Sequence, residues 1–121
     1  ENIYMLKTGK LLQASILGPT YFRALDEEKV SALKNFSESI GVAFQIQDDL
    51  IEAVGDADMI GKSIESDKSK NKAAYPLLFG VSESKKRVEN LYESACDSLK
   101  VFGESSSSLM DMAEIIIHRK L

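Results

Sequence analysis

Three carboxylates and a glutamine stand close together in the run Phe44-Gln45-Ile46-Gln47-Asp48-Asp49-Leu50-Ile51-Glu52. In a helix, about 100° of rotation per residue puts Asp48, Asp49 and Glu52 inside an arc of about 100°, with Gln45 between them. Like charges so placed repel, at a cost of roughly 0.2–0.5 kcal/mol per pair. Near the C-terminal end of a helix the dipole disfavours them further. A hard divalent cation would offset both penalties. Mg²⁺ is the obvious one, because it takes carboxylate oxygens and shares itself with phosphate groups. The bland alternative is a solvated acidic face on an amphipathic helix. Phe44, Ile46, Leu50 and Ile51 argue against it. They suggest a helix buried on most sides, where charge is costly unless paired or metal-bound.

Two further groups have types suited to the same chemistry. Lys62, Lys68, Lys70 and Lys72 follow the acidic run in a polar stretch. Such lysines suit a solubilising loop, and they equally suit a grip on phosphate, which Lys binds as a point charge. Acids at a helix end and lysines in the next loop would hold a magnesium diphosphate from two sides. The third group is Lys7-Thr8-Gly9-Lys10. Thr in a helix most often bonds back to its own backbone. Gly9 in mid-helix carries a penalty, and a kink there would open backbone groups to a ligand.

The elements that must position these groups read as helical. Apolar residues recur at helical spacing over 3–17, with an imperfect face, and Gly18-Pro19 breaks the chain. Asp26-Glu27-Glu28 marks a helix start, with acids where the dipole favours them. Val30, Leu33, Ile40, Phe44, Ile51 and Val54 then predict one long helix from about 27 to 54, with Gly41 inside it for close helix packing. Residues 55–72 are turn-rich and polar and predict a long loop, a feature often functional in compact domains. Pro76 is expected to open a short apolar helix closed by Gly80. Ser82 is expected to cap a helix over 83–102, with Gly103 as its stop, and a last helix covers 107–119. No strand-like alternation is present. The fold class is all-α, a helical bundle.

Composition narrows the partners. The chain has 121 residues, 44% hydrophobic, with 15 Lys plus Arg against 19 Asp plus Glu and a net charge of −4. That balance lacks the basic footprint of a nucleic-acid binder. No apolar run reaches the ~18 residues of a membrane span. One cysteine, Cys96, excludes an internal disulfide and fits a reducing cytoplasm. The absent initiator Met and abrupt start read as a piece of a longer protein.

Taken together the motifs resemble a known family. Lys7-Thr8-Gly9, Gly41-Val42-Ala43-Phe44-Gln45-Ile46-Gln47-Asp48-Asp49, Gly55-Asp56, Gly61-Lys62, Asp67 and Lys72-Ala73-Ala74-Tyr75-Pro76 occur in order. In order and spacing they resemble the C-terminal half of a trans-isoprenyl diphosphate synthase, a polyprenyl synthetase of the bacterial farnesyl diphosphate synthase type. The resemblance is strong over residues 1 to about 80 and looser beyond. It implies that 1–121 is the C-terminal portion of a single all-helical isoprenoid synthase domain, without the N-terminal half and its first aspartate-rich motif. It implies a prenyltransferase that condenses dimethylallyl or geranyl diphosphate with isopentenyl diphosphate to give farnesyl or a related isoprenyl diphosphate. Asp48, Asp49 and Glu52 would bind Mg²⁺. Lys7, Lys62 and Lys72 would contact the substrate diphosphate, and Arg119 would belong to a basic cap over it. Thr8 and Gln45 would lie near the reacting carbons. A homodimer of the full-length protein is a further family expectation. The sequence departs from the family pattern at Glu52, where Asp is usual, at Ala73, where Ser or Thr is common, and at Tyr4, in a segment that commonly carries histidine or another polar group. These departures favour the alternative of a noncatalytic helical subunit or regulatory module. With half a metal site, the isolated chain is expected to be inactive.

Overall fold

The structure, a computed structural model, describes residues 1–59 and 75–118. Helix α1 (Asn2–Tyr4) runs through a π-helical turn at Met5–Gly9 into α2 (Lys10–Leu17). The predicted break at Gly18-Pro19 is a tightening: Gly18–Phe22 forms a 3₁₀ turn with Pro at its start, and the backbone becomes extended only at Arg23. Proline fits there because the first N–H groups of a helical turn have no intrahelical partner.

The spine of the fold is α3 (Glu27–Met59). Its start is as the sequence predicts: Asp26 Oδ1 accepts the Lys29 N–H at 2.9 Å, and Glu27 and Glu28 occupy the first turn. Its end differs. The helix continues through Gly55-Asp56-Ala57-Asp58 to Met59, where the composition predicted a loop. An already nucleated helix tolerates an interior glycine at about 1 kcal/mol. The remainder of the predicted loop, with Lys62, Lys68, Lys70 and Lys72, lies outside the described residues, as does Arg119.

Helix α4 (Tyr75–Phe79) precedes α5 (Val81–Ser98), which leads through a 3₁₀ stretch, Leu99–Ser106, into α6 (Ser107–His118). Ser82 does not cap α5. The helix starts earlier, from Gly80 at φ 83°, and it is the buried Ser84 whose hydroxyl bonds back to the Gly80 carbonyl at 2.7 Å. Gly103 is the expected stop, at φ 56° and ψ −137°, a region open to glycine at little cost.

The core forms where α3 packs against α5, α2 and α6. Leu33, Phe36, Ile40, Ala43, Ile46 and Leu50 repeat at spacings of three and four along α3 and face Val88, Leu91, Ala95, Leu99, Ala113 and Ile117. Such a stripe is the helical-period pattern that buries one face. Phe36 is fully buried at its centre. Phe36→Ala is therefore expected to lower unfolding free energy by about 3–5 kcal/mol in a denaturant titration of the complete protein, through lost burial and a residual cavity.

A second apolar set has no cover among the described residues. Ile3, Leu6 and Leu11 on the N-terminal helices and Leu77 and Leu78 on α4 are each at least 66% exposed. Large exposed apolar patches mark contact surfaces. The first group is what the expectation of an absent N-terminal half would leave uncovered. For Leu77 and Leu78, the predicted apolar α4 forms but does not bury them. Among the described residues, no helix is long and apolar enough to cross a membrane.

Candidate active site on the acidic face of α3

The expected acidic face forms on α3. Gln45 is buried, Asp48 and Asp49 are part-buried and Glu52 is exposed. Asp49 is held by two hydrogen bonds. Its Oδ2 accepts a hydrogen bond from the Tyr4 hydroxyl, and a second from the Tyr75 backbone N–H at 2.9 Å. The same N–H lies 3.0 Å from the Tyr4 oxygen, closing a triangle among α1, α3 and α4. The Tyr4 and Tyr75 rings stand 6.3 Å apart, and Tyr75 also packs on Phe79 at 4.5 Å. Burial, the bond to Asp49 and that carboxylate's charge push the Tyr4 phenol up to about 12, so it stays a donor at neutral pH.

Glu1 extends the network outward. Arg87 of α5 grips it through two bonds, Nε to Oε1 at 2.6 Å and Nη2 to Oε2 at 2.8 Å, and the Tyr75 hydroxyl donates to Oε1 at 3.3 Å. The Arg87 guanidinium holds the Glu1 carboxyl below its ordinary value.

The Lys-Thr-Gly segment is held by a backbone contact. Its residues form the end of the π turn, Met5–Gly9, an irregularity frequent at functional sites. Gly9 is buried against Gly41: a Cβ added to Gly41 would lie 2.8 Å from the Gly9 Cα. Tyr4 touching Asp49 and Gly9 touching Gly41 bracket the two helices. Thr8 and Lys7 therefore lie alongside the α3 stretch that carries Gln45. Lys7 is exposed and Thr8 part-buried. A groove of about 560 Å³ opens beside the preceding turns of α3, lined in part by Met5, Leu6, Lys10, Glu38, Ser39 and Val42, and not by Lys7, Thr8, Gln45, Asp48 or Asp49. Gln13 links two of its lining residues, Lys10 and Glu38, by bonds of 2.9 and 3.0 Å.

The structure thus sets the Lys7-Thr8-Gly9 segment beside the stretch of α3 between Gly41 and Asp49, which carries Gln45 and Asp48, with Glu52 further along the helix at the surface. Among the described residues, no three His, Cys, Asp or Glu side chains converge tightly enough to hold a metal by themselves. Magnesium does not need that. It keeps several waters and is commonly held by one or two carboxylates plus substrate phosphates. The donors present, two part-buried carboxylates on one face, fit that mode of binding and do not fit an all-protein cage.

Sequence reasoning missed Tyr4 and Tyr75 as partners of Asp49. The only signal was a tyrosine one turn before Lys7 in an otherwise apolar Ile-Tyr-Met-Leu run. A backbone N–H such as that of Tyr75 leaves no signal at all.

Comparison with known proteins places the chain in a family. The polyprenyl synthetase family model matches residues 1–106. The chain is 37% identical to farnesyl diphosphate synthase of Escherichia coli K12, aligning over 98% of this chain and 41% of that protein. It is 34% identical to geranylgeranyl diphosphate synthase of Cyanophora paradoxa, over 97% of this chain and 39% of that protein. A geranyltransferase structure from Legionella pneumophila superposes with a TM-score of 0.78 at 26% identity, covering 98% of this chain and 36% of that one. The chain spans about 40% of the length of the curated relatives it matches. With the family model covering most of its length and an all-helical fold shared with a solved relative, the chain belongs to the polyprenyl synthetase family.

Proposed function

We propose that residues 1–121 form the C-terminal portion of a single synthase domain in a prenyltransferase. The reaction joins an allylic diphosphate, dimethylallyl or geranyl, to isopentenyl diphosphate and yields farnesyl or a related isoprenyl diphosphate. The observation that carries this reading is Asp49, pinned by Tyr4 and the Tyr75 N–H beside the Lys-Thr-Gly turn. It is an acidic face held in place next to a lysine and a hydroxyl.

Asp48 and Asp49, with Glu52 directly or through water, would hold Mg²⁺. When bound there, magnesium would supply positive charge to the leaving diphosphate. Lys7 would contact the same diphosphate, and Lys62, Lys72 and Arg119 join it by resemblance. The allylic C–O bond breaks with its electron pair going to the diphosphate. The isopentenyl double bond then attacks the allylic carbon, and a proton is lost. Thr8 and Gln45 would place oxygen dipoles near the developing positive charge. A homodimer of the complete protein, in the cytoplasm, belongs to the same proposal.

The complete protein, given Mg²⁺ and both substrates, is expected to release diphosphate and form a longer isoprenyl diphosphate, and chelation of the metal should stop it. No elongated product with any allylic substrate would overturn the reading. The 121-residue chain alone is expected to give no product in the same assay, because it spans only about 40% of its curated relatives. Turnover by the chain alone would refute that expectation.

A further inference from the structure

We propose that Tyr4 is a positioning residue for Asp49: its hydroxyl and the Tyr75 N–H together fix Oδ2, so that the carboxylate meets its ligand in one orientation. The inference rests on the reading of Asp49 as a magnesium-diphosphate residue, and it adds what sets that residue's geometry. A free aspartate at a part-exposed helix position rotates about two side-chain bonds. Here both contacts fall on the same oxygen, Oδ2, and Oδ1 takes part in neither. A carboxylate fixed through one oxygen presents the other in a set direction.

The anchor is itself anchored. Tyr4 is held by its ring contact with Tyr75 and by the short span to the Gly9–Gly41 backbone contact. Tyr75 is tied at its other end to Glu1, which Arg87 grips twice. Three helices thus converge on one carboxylate oxygen. Groups that orient a metal-ligating carboxylate in this way typically contribute about 10–100-fold to metal affinity or activity.

The test uses the complete protein and its binding of inorganic pyrophosphate with Mg²⁺, followed by calorimetry, alongside melting temperature in the absence of both. Tyr4→Phe keeps the ring and removes the hydroxyl. It is expected to weaken magnesium-pyrophosphate binding by about 10–100-fold, and Tyr4→His, which restores a hydrogen-bonding group, is expected to recover part of the loss. Binding by Tyr4→Phe within about twofold of the parent would overturn the proposal. So would a loss that follows a lowered melting temperature and is not recovered by Tyr4→His, because Tyr4 would then be a packing residue. Asp49→Ala separates this inference from the reading beneath it. If Asp49→Ala abolishes binding and Tyr4→Phe does not affect it, the positioning role fails alone. If Asp49→Ala leaves binding intact, the assignment of Asp49 fails and takes the positioning role with it.

Discussion

Replacing Asp49 by alanine in the complete protein is expected to lower kcat by at least about 10²–10³-fold, the range seen when one preorganised electrostatic group is removed from a site of developing charge. Two losses are combined in that substitution. The first is a negative charge on the face that also carries Asp48 and Glu52. The second is structural: the Tyr4 hydroxyl and the Tyr75 N–H lose their common acceptor, the N–H keeping only the Tyr4 oxygen at 3.0 Å, and a part-buried hydroxyl that loses its partner costs about 1 kcal/mol. Asp49→Asn separates the two. Its amide oxygen can still accept both hydrogen bonds, so the melting temperature should return toward that of the parent. It carries no charge, so kcat should stay low. Measured kcat and melting curves for the three proteins decide the matter. An Asn variant that recovers both stability and turnover would show that the carboxylate is there to tie helices together and not to hold a cation.

The pattern of what could be read from the chain follows from how far each interaction reaches. The helices of the core were legible because burial imposes a period. Leu33, Phe36, Ile40, Ala43, Ile46 and Leu50 repeat with the turn of α3, and Val88, Leu91, Ala95 and Leu99 repeat with α5 and its extension. The acidic face was legible for the same reason, since Asp48, Asp49 and Glu52 need only the helical angle to fall together. Helix ends were less legible. Gly55-Asp56-Ala57-Asp58 has the composition of a turn, yet the residues before it were already helical and propagation outweighed local preference. At the start of α5 the sequence pointed to Ser82 for its side-chain oxygen, whereas the backbone of Gly80 determines the entry. Contacts across the fold were not legible. Tyr4 meets Asp49 over 45 positions, and Tyr75 meets it over 26 through a main-chain N–H that every residue except proline possesses. Gly9 and Gly41 could each be suspected of close packing or a kink. That they pack on each other is a property of the assembled helices, and no periodicity within either segment contains it.

Gly41→Ala is expected to destabilise the complete protein and to slow it as well, although alanine is the better helix former by about 1 kcal/mol. The new Cβ would lie 2.8 Å from the Gly9 Cα, and the obstacle is backbone, so no side chain can rotate aside. The N-terminal helices must move away from α3. Overpacking of this kind costs about 1–3 kcal/mol, enough to outweigh the helical preference, and Gly41→Val should fall at the upper end or beyond. Gly9→Ala provides the contrast. Its closest clash, also at 2.8 Å, is with the Met5 sulfur on a flexible side chain, and the nearest backbone atom, the Tyr4 carbonyl oxygen, stands at 3.3 Å, a smaller overlap than the 2.8 Å at Gly41. The order of melting temperatures should therefore be parent, then Gly9→Ala, then Gly41→Ala, then Gly41→Val. Activity should fall more steeply than stability at position 41. The displaced segment carries Lys7 and Thr8, and a shift of about 1 Å in a positioning element can cost about 10²-fold in rate. A Gly41→Ala protein as stable and as fast as the parent would mean that the Gly9–Gly41 approach does not set the position of the Lys-Thr-Gly turn. The alignment of that turn with the acidic face would then need another cause.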